Sequence, residues 1–583
     1  MKSKNTALLL GNEAIARGAW EAGCHLVSSY PGTPSTEITE VCAEYPEMHT
    51  EWATNEKVAL EVAVGASFGG ARAMSCMKHV GLNVAADPLF TAAYTGVNGG
   101  LVVCVADDPG MHSSQNEQDS RFYARAAMLP MMEPSDSAEC LSFTKAAFEL
   151  SERFDAPVLI RSTTRIAHAR SQVTLQEREE APIRPYEKNP TKYVMMPAMA
   201  RGRHLVVEQR TNALKEYVET CPFNKIEMRD DLKVGVICSG IAYQYVREAL
   251  PEASILKLGI VNPIPEKAIR AFAAKVDTLY VLEELEPVIE EQVKAMGIDA
   301  IGKQLTGHQG ELSVNRIKKM FDEPIPTYAA PESLPGRPPV MCAGCPHRGP
   351  FSVLSKRKMH VMGDIGCYTL GALAPLTALD ASLCMGASVG MAQGIGRAQG
   401  EQFGRDTVAV IGDSTFLHSG VTSLISAVYN KAPITLVILD NRITGMTGHQ
   451  PNPASGKDIH GNDVPALDLA ALCRACGVDR VVTVDAFDLD GFDKAVTQET
   501  AVNEPSVIIA RQPCALLDKK SKKPALQIDQ TKCRKCMACM KMGCPAIEKR
   551  DNGVVINESQ CVGCGLCIQT CKFGAIGKAG ERG

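Results

Sequence analysis

Apolar positions along this chain fall into two periods. Short unbroken runs of β-branched and other apolar residues recur at residues 101–106 (Leu-Val-Val-Cys-Val-Ala), 157–160, 233–238, 278–282, 407–411, 434–439 and 506–509. Each run is ended by turn residues. Unbroken runs predict strands buried on both faces, as in parallel sheets, where alternation would predict one wet face. Glu56 to Phe68 instead carries the helical period. Strands and helices in alternation predict an α/β protein.

Composition breaks mark the boundaries. Residues 171–203 are charged and contain Pro182, Pro185, Pro190 and Pro197, which reads as a connecting segment. Residues 324–339 are Pro-rich again, with Pro324, Pro326, Pro331, Pro335, Pro338 and Pro339. Asp-Lys-Lys-Ser-Lys-Lys-Pro at 518–524 is a basic, solvated linker. The expected domains are therefore 1–195, 196–330 and 331–517, all α/β, and a small Cys-dense tail, 518–583.

Overall composition narrows the class. Hydrophobic residues make up 45% and charged residues 22% of the 583, as in ordinary globular proteins. A net charge of -5 gives no basic stripe for nucleic acid. No apolar run approaches the ~20 residues that span a bilayer. The apolar stretch Ala7 to Leu10 is too short for a secretory h-region, which predicts a cytoplasmic chain with reduced thiols. Against that background the 22 cysteines stand out, because eight of them fall between Cys533 and Cys571. Such local concentration predicts a metal cluster site rather than a disulfide framework.

The eight form two runs: Cys533-x2-Cys536-x2-Cys539-x4-Cys544 and Cys561-x2-Cys564-x2-Cys567-x3-Cys571. They resemble the bacterial two-cluster ferredoxin pattern, in which the fourth cysteine of each run ligates the other [4Fe–4S] cluster. The resemblance implies one cluster on Cys533, Cys536, Cys539 and Cys571, and a second on Cys544, Cys561, Cys564 and Cys567. The first run departs by one extra residue before Cys544, and the second lacks the usual proline after Cys571. Zinc sites favour cysteine pairs over triplets with distal singles.

In the third domain, Gly412-Asp413-Ser414 follows one expected strand and Asp440-Asn441 follows the next. Ligands of open α/β sheets bind beyond the carboxyl ends of strands, so these turns should be neighbours. Their oxygens suit Mg²⁺, which commonly carries phosphates. A helix starting near Ser419-Gly420 is expected to offer backbone N–H groups to a diphosphate. Gly-Asp-Ser followed by Asn after 28 residues resembles the thiamine-diphosphate motif. The resemblance implies Gly412, Asp413, Ser414, Asn441 and Ile443 as cofactor-binding residues, with Asp413, Asn441 and the Ile443 carbonyl on Mg²⁺. Such enzymes also use a glutamate against N1′ of the aminopyrimidine. Glu56, opening the helix in the first domain, is the candidate, although a helix-opening Glu is also simply favourable at a positive helix end.

Tyr30-Pro-Gly-Thr-Pro-Ser35, Cys342-Ala-Gly-Cys345-Pro-His-Arg348 and Gly363-Asp-Ile-Gly-Cys367 resemble segments of 2-oxoacid:ferredoxin oxidoreductases. Within that superfamily the chain is most similar, over essentially its whole length, to alpha subunits of indolepyruvate ferredoxin oxidoreductases. The resemblance implies two thiamine-diphosphate-binding-type domains, a transketolase C-terminal-like domain and an α+β ferredoxin domain. It implies Thr33 as a contact of the substrate carboxylate or keto group. It implies a third cluster on Cys342, Cys345, Cys367 and Cys514, beside the plainer reading of four reduced thiols. The implied reaction is oxidative decarboxylation of aryl pyruvates, chiefly indole-3-pyruvate, with CoA, electrons leaving for ferredoxin. A smaller beta subunit is implied, giving a heterodimer or dimer of heterodimers. The alternatives are another 2-oxo acid, a non-oxidative thiamine decarboxylase, and a non-enzymatic electron carrier.

Overall fold

A computed structural model describes residues 5–327, 333–336, 338–517, 523–551 and 553–578. The chain divides into two compact units, Met1–Ala330 and Pro331–Gly583. The expected boundary near 330 and most of the expected linker, residues 518–522, lie outside the described residues.

The first unit is built on a seven-stranded sheet. Its strand order is Ile260–Asn262, Met131–Met132, Val158–Thr163, Leu101–Asp107, Ala73–Lys78, Leu26–Ser29 and His49–Trp52. All pairs are parallel except the first, where Ile260–Asn262 arrives antiparallel from the following α/β lobe. Leu101–Asp107 is buried at every position, which explains its unbroken apolar run. Glu56–Phe68 is a helix over the expected residues. It buries Ala59, Leu60, Ala63 and Ser67, and Asn55 caps it by accepting from Val58 N at 2.9 Å. The second lobe carries a four-stranded sheet, Thr278–Leu282, Val234–Ser239, Ser254–Leu258 and Lys225–Glu227, with only the last strand antiparallel.

The segment 171–203 corrects the sequence reading. Arg170–Thr174 is a strand paired antiparallel with Thr6–Leu10, and Pro197–Val218 is a 22-residue helix. Two of its prolines open helices at the first position, where the missing N–H costs nothing. The long helix buries only Val207, Arg210, Leu214 and Val218, a stripe too narrow to register amid its charges. Arg210 reaches the carbonyls of Asp155 and Ala93 at 2.8 and 2.7 Å.

The second unit contains a five-stranded, wholly parallel sheet. Its order is His360–Met362, Thr407–Gly412, Thr435–Asp440, Ser506–Arg511 and Arg480–Asp485. Apolar clusters around Phe351 and Val410 on one face, and Phe416 and Ile438 on the other, hold helices to both sides. The tail has two short antiparallel pairs, Leu526–Ile528 with Ile576–Lys578 and Ile547–Arg550 with Gly553–Ile556. Its core is small: Leu526, Ile547, Val554, Cys567 and Ile576. Among the described residues, no helix is long and apolar enough to cross a membrane.

Candidate active site and cysteine centres

Thr407–Gly412 and Thr435–Asp440 are adjacent parallel strands, with Gly412 beside Leu439. Their carboxyl ends therefore deliver Asp413 and Asn441 to one place. One end of the Asn441 amide lies 3.0 Å from Asp413 Oδ1 and 2.8 Å from the Ile443 carbonyl oxygen. Rotating the amide would satisfy these atoms by itself. Asp413, the Asn441 amide and the Ile443 carbonyl converge whichever way the amide is turned, and with the amide oxygen inward they would offer three oxygens to a hard cation such as Mg²⁺. Burial pushes the Asp413 carboxyl up to about 7, and Asp440 adds to the shift. A bound divalent cation would reverse that shift. Asn452 donates to Asp413 Oδ2 at 3.3 Å, and Thr444 ties the following turn to Ser414 at 2.8 Å. Asn452 had no sequence signal, since nothing local sets it apart.

One expectation changes here. Helical structure begins at Asp413, not near Ser419-Gly420. Asp413–Thr415 runs through a wide turn, Phe416–Gly420, into Val421–Tyr429. The strand feeds directly into a helix, so the positive helix end lies at Asp413 itself. Gly412 has no room for a side chain: a Cβ there would lie 2.7 Å from the Tyr368 ring.

The candidate third cysteine set adjoins this place. Cys342, Cys345, Cys367 and Cys514 act on one another electrostatically: Cys367 and Cys342 raise Cys345, and Cys514 and Cys342 raise Cys367. Burial, the larger cause, takes Cys345 to about 12 and Cys367 to about 11. Cys514 N donates to the Asn441 carbonyl at 3.0 Å, and a side chain on Gly445 would meet Cys367 Sγ at 3.3 Å. His347 is buried, stands 3.3 Å from the Asn441 amide, and is depressed by burial to about 4, so it is neutral.

In the tail, the same mutual influence sorts the eight thiols. Cys539 is acted on by Cys533, Cys536 and Cys571, and Cys567 by Cys564, Cys544 and Cys561. The fold thus interleaves the two runs, exchanging their fourth members. Among the described residues, no three His, Cys, Asp or Glu side chains converge tightly enough for a single metal ion. Cubanes hold their cysteines around a larger body.

In the first unit, Glu56 is buried and packed against Gly81, where a Cβ would lie 2.6 Å from its Oε1. Lys78 ends its strand nearby. Burial lowers its pKa, opposed by Asp108 and Glu56. Its stem lies under Gly32, and its ammonium donates to the Ser113 carbonyl at 3.0 Å. Ser113 Oγ donates to the Thr33 carbonyl at 3.3 Å. Glu56 and Thr33 thus share one face, at the carboxyl ends of the strands, with Lys78 between them. Lys78 closes a strand in the sequence and gave no other signal.

Three family models divide the chain. Residues 17–220 match the thiamine-diphosphate-binding domain of pyruvate flavodoxin/ferredoxin oxidoreductases. Residues 364–510 match the C-terminal thiamine-pyrophosphate-binding domain of thiamine-pyrophosphate enzymes, and 525–572 a 4Fe-4S dicluster domain. The fold and these matches define an oxidoreductase that uses thiamine diphosphate and carries [4Fe–4S] clusters. The indolepyruvate oxidoreductase subunit IorA of Thermococcus kodakarensis is 40% identical over 99% of this chain and 97% of its own. That of Archaeoglobus fulgidus is 40% identical over 97% of each. The chain belongs to the family of indolepyruvate oxidoreductase IorA subunits. The 2-oxoglutarate synthase subunit KorA of Methanothermobacter thermautotrophicus is a more distant relative, 25% identical over 53% of this chain.

Proposed function

We propose that this subunit oxidatively decarboxylates aryl 2-oxo acids, chiefly indole-3-pyruvate, with CoA to the acyl-CoA. The carrying observation is the juxtaposition in the second unit of the converging Asp413, Asn441 and Ile443 and a four-cysteine set, joined by the Cys514–Asn441 backbone bond. A non-oxidative decarboxylase has no use for one-electron centres beside its cofactor. A pure electron carrier has no use for the cation site. The relatives' names support the aryl substrate, and KorA keeps another 2-oxo acid as the second reading.

In this reading Asp413, Asn441 and the Ile443 carbonyl hold Mg²⁺, and Gly412 and Ser414 line the diphosphate end. Thiamine diphosphate supplies an electron sink for loss of CO2. Glu56 holds and moves the proton at N1′. The Thr33 hydroxyl orients the 2-oxo acid. Cys533, Cys536, Cys539 and Cys571 hold one cluster; Cys544, Cys561, Cys564 and Cys567 the second; Cys342, Cys345, Cys367 and Cys514 a third. The reading keeps four domains, 1–195, 196–330, 331–517 and 518–583. Ferredoxin takes the electrons, and a smaller beta subunit completes a heterodimer or dimer of heterodimers.

The test is anaerobic purification with the partner subunit, with iron, sulfide and thiamine quantified and turnover followed across several 2-oxo acids. CoA-dependent acyl-CoA formation, fastest with indole-3-pyruvate, is expected. Aldehyde as the sole product, or a preference for 2-oxoglutarate, overturns the reading.

A further inference from the structure

Arg348 is the first residue of the ten-residue helix Arg348–Arg357 and is buried, with 2% of its surface exposed. Three features make it costly for the fold alone. A cation at a helix N-terminus opposes the helix dipole. A buried guanidinium ordinarily needs a carboxylate, yet among the described residues none forms an ion pair with it. Its Nε has no hydrogen-bond partner among the described residues.

What it touches is the loop of one cysteine set and the loop of another. Nη1 donates to the Met542 carbonyl at 2.8 Å, two residues before Cys544. Nη2 donates to the carbonyls of Met341 at 2.7 Å and Cys342 at 3.1 Å. Its charge favours the thiolates of both Cys345 and Cys564. The surrounding contacts keep these loops together. A Cβ on Gly344 would lie 2.2 Å from Val562, and Gln569 exchanges hydrogen bonds with Leu489 N at 3.0 Å and the Phe487 carbonyl at 2.7 Å.

We propose that Arg348 is a positioning residue whose missing counter-ion is iron–sulfur: it pins the tail to the Cys342 loop and sets the potential of the cluster on Cys544, Cys561, Cys564 and Cys567. This rests on the cluster assignments above. A cubane with four thiolates carries net negative charge, and reduction adds one more. A fixed cation beside it therefore stabilises the reduced form. The overall exchange is 2-oxo acid anion plus CoA thiol giving acyl-CoA, CO2, one proton and two electrons. Those electrons leave singly for an iron–sulfur carrier, so each must be accepted by a cluster poised to receive it.

The experiment uses the anaerobically purified enzyme with its partner subunit. Midpoint potentials are read by EPR-monitored titration, and the tail clusters are assigned through Cys536→Ser and Cys564→Ser. In Arg348→Gln the cluster assigned to Cys564 should be about tenfold harder to reduce, about 60 mV lower for one electron. The Cys536-assigned cluster should move less. Arg348→Lys keeps the charge and loses the carbonyl fork. It should keep the potential while amide exchange at Met542 and Gly543 accelerates. If Arg348→Gln fails to assemble its clusters, the lysine variant decides: a wild-type potential with faster exchange supports the proposal, and a lowered potential overturns it. Equal shifts at both tail clusters, or none, also overturn it. Wild-type enzyme without iron would sink the cluster assignments themselves, an outcome distinguishable from failure of Arg348 alone.

Discussion

Two sets of buried charge, one in each unit, are held in opposite ways. In the first, two buried arginines are shared among four buried acids. Arg121 pairs with Asp119 and Glu283, each at 2.5 Å, and Arg161 with Asp107 at 2.7 Å and Glu133 at 2.6 Å. Burial alone would raise Asp119, but Arg121 and Arg161 outweigh it and hold the acid well below the usual range. In the second unit Asp413 has no cationic partner among the described residues, and Arg348 has no anionic one. The Arg121 and Arg161 network satisfies its own charges where it joins two lobes, while Arg210 of the same unit is buried on carbonyls alone. At Asp413 and Arg348 both signs stand open, where the proposed cofactors would complete them.

The strongest way to break this contrast is Asp413→Ala. It should abolish Mg²⁺-dependent thiamine diphosphate binding, and turnover with it, while circular dichroism shows an intact α/β fold. Normal cofactor binding in calorimetry would mean the oxygens at Asn441 and Ile443 serve something else.

Glu56→Gln should keep the cofactor bound and lower turnover by ~10² to 10⁴-fold, the usual worth of acid–base help. Near-wild-type kcat would remove Glu56 from the chemistry.

Arg161→Met should leave Asp107 and Glu133 buried and unpaired, costing about 3–5 kcal/mol of stability. A denaturant titration that shows the variant as stable as wild type would mean water reaches the network.

The smallest effect is a pH dependence. Without a cation, burial and Asp440 raise Asp413 from 3.8 to about 7. A carboxyl raised on folding contributes stability that is fully present below its unfolded pKa and lost as pH rises through its folded one. The cation-free protein should therefore lose thermal stability between about pH 4 and 7 relative to Asp413→Asn. Saturating Mg²⁺ and thiamine diphosphate should erase that difference, because the cation needs the carboxylate. Parallel melting curves for the two proteins across this range would contradict the assignment.

The cysteine runs could be read from sequence because their geometry is local: a few residues of loop separate ligands of one set. The exchange of Cys544 and Cys571 between runs came only from resemblance. Asp413 and Asn441 were readable too, since adjacent parallel strands must end side by side. The strand runs of the sheets were legible because burial on both faces removes all alternation. The segment 171–203 was not, because a proline that opens a helix looks locally like one that ends it. Lys78 and Asn452 were silent, and Arg348 stood only as the end of a cysteine motif, for a deeper reason. Each is an ordinary residue at an ordinary position, and its meaning lies in what lies opposite. For Arg348 that is a carbonyl 194 residues away. Periodicity and spacing determined the elements and the candidate ligand residues; only the tertiary structure decided which buried charges the protein answers itself and which the proposed cofactors would answer, since that depends on partners the local chain does not contain.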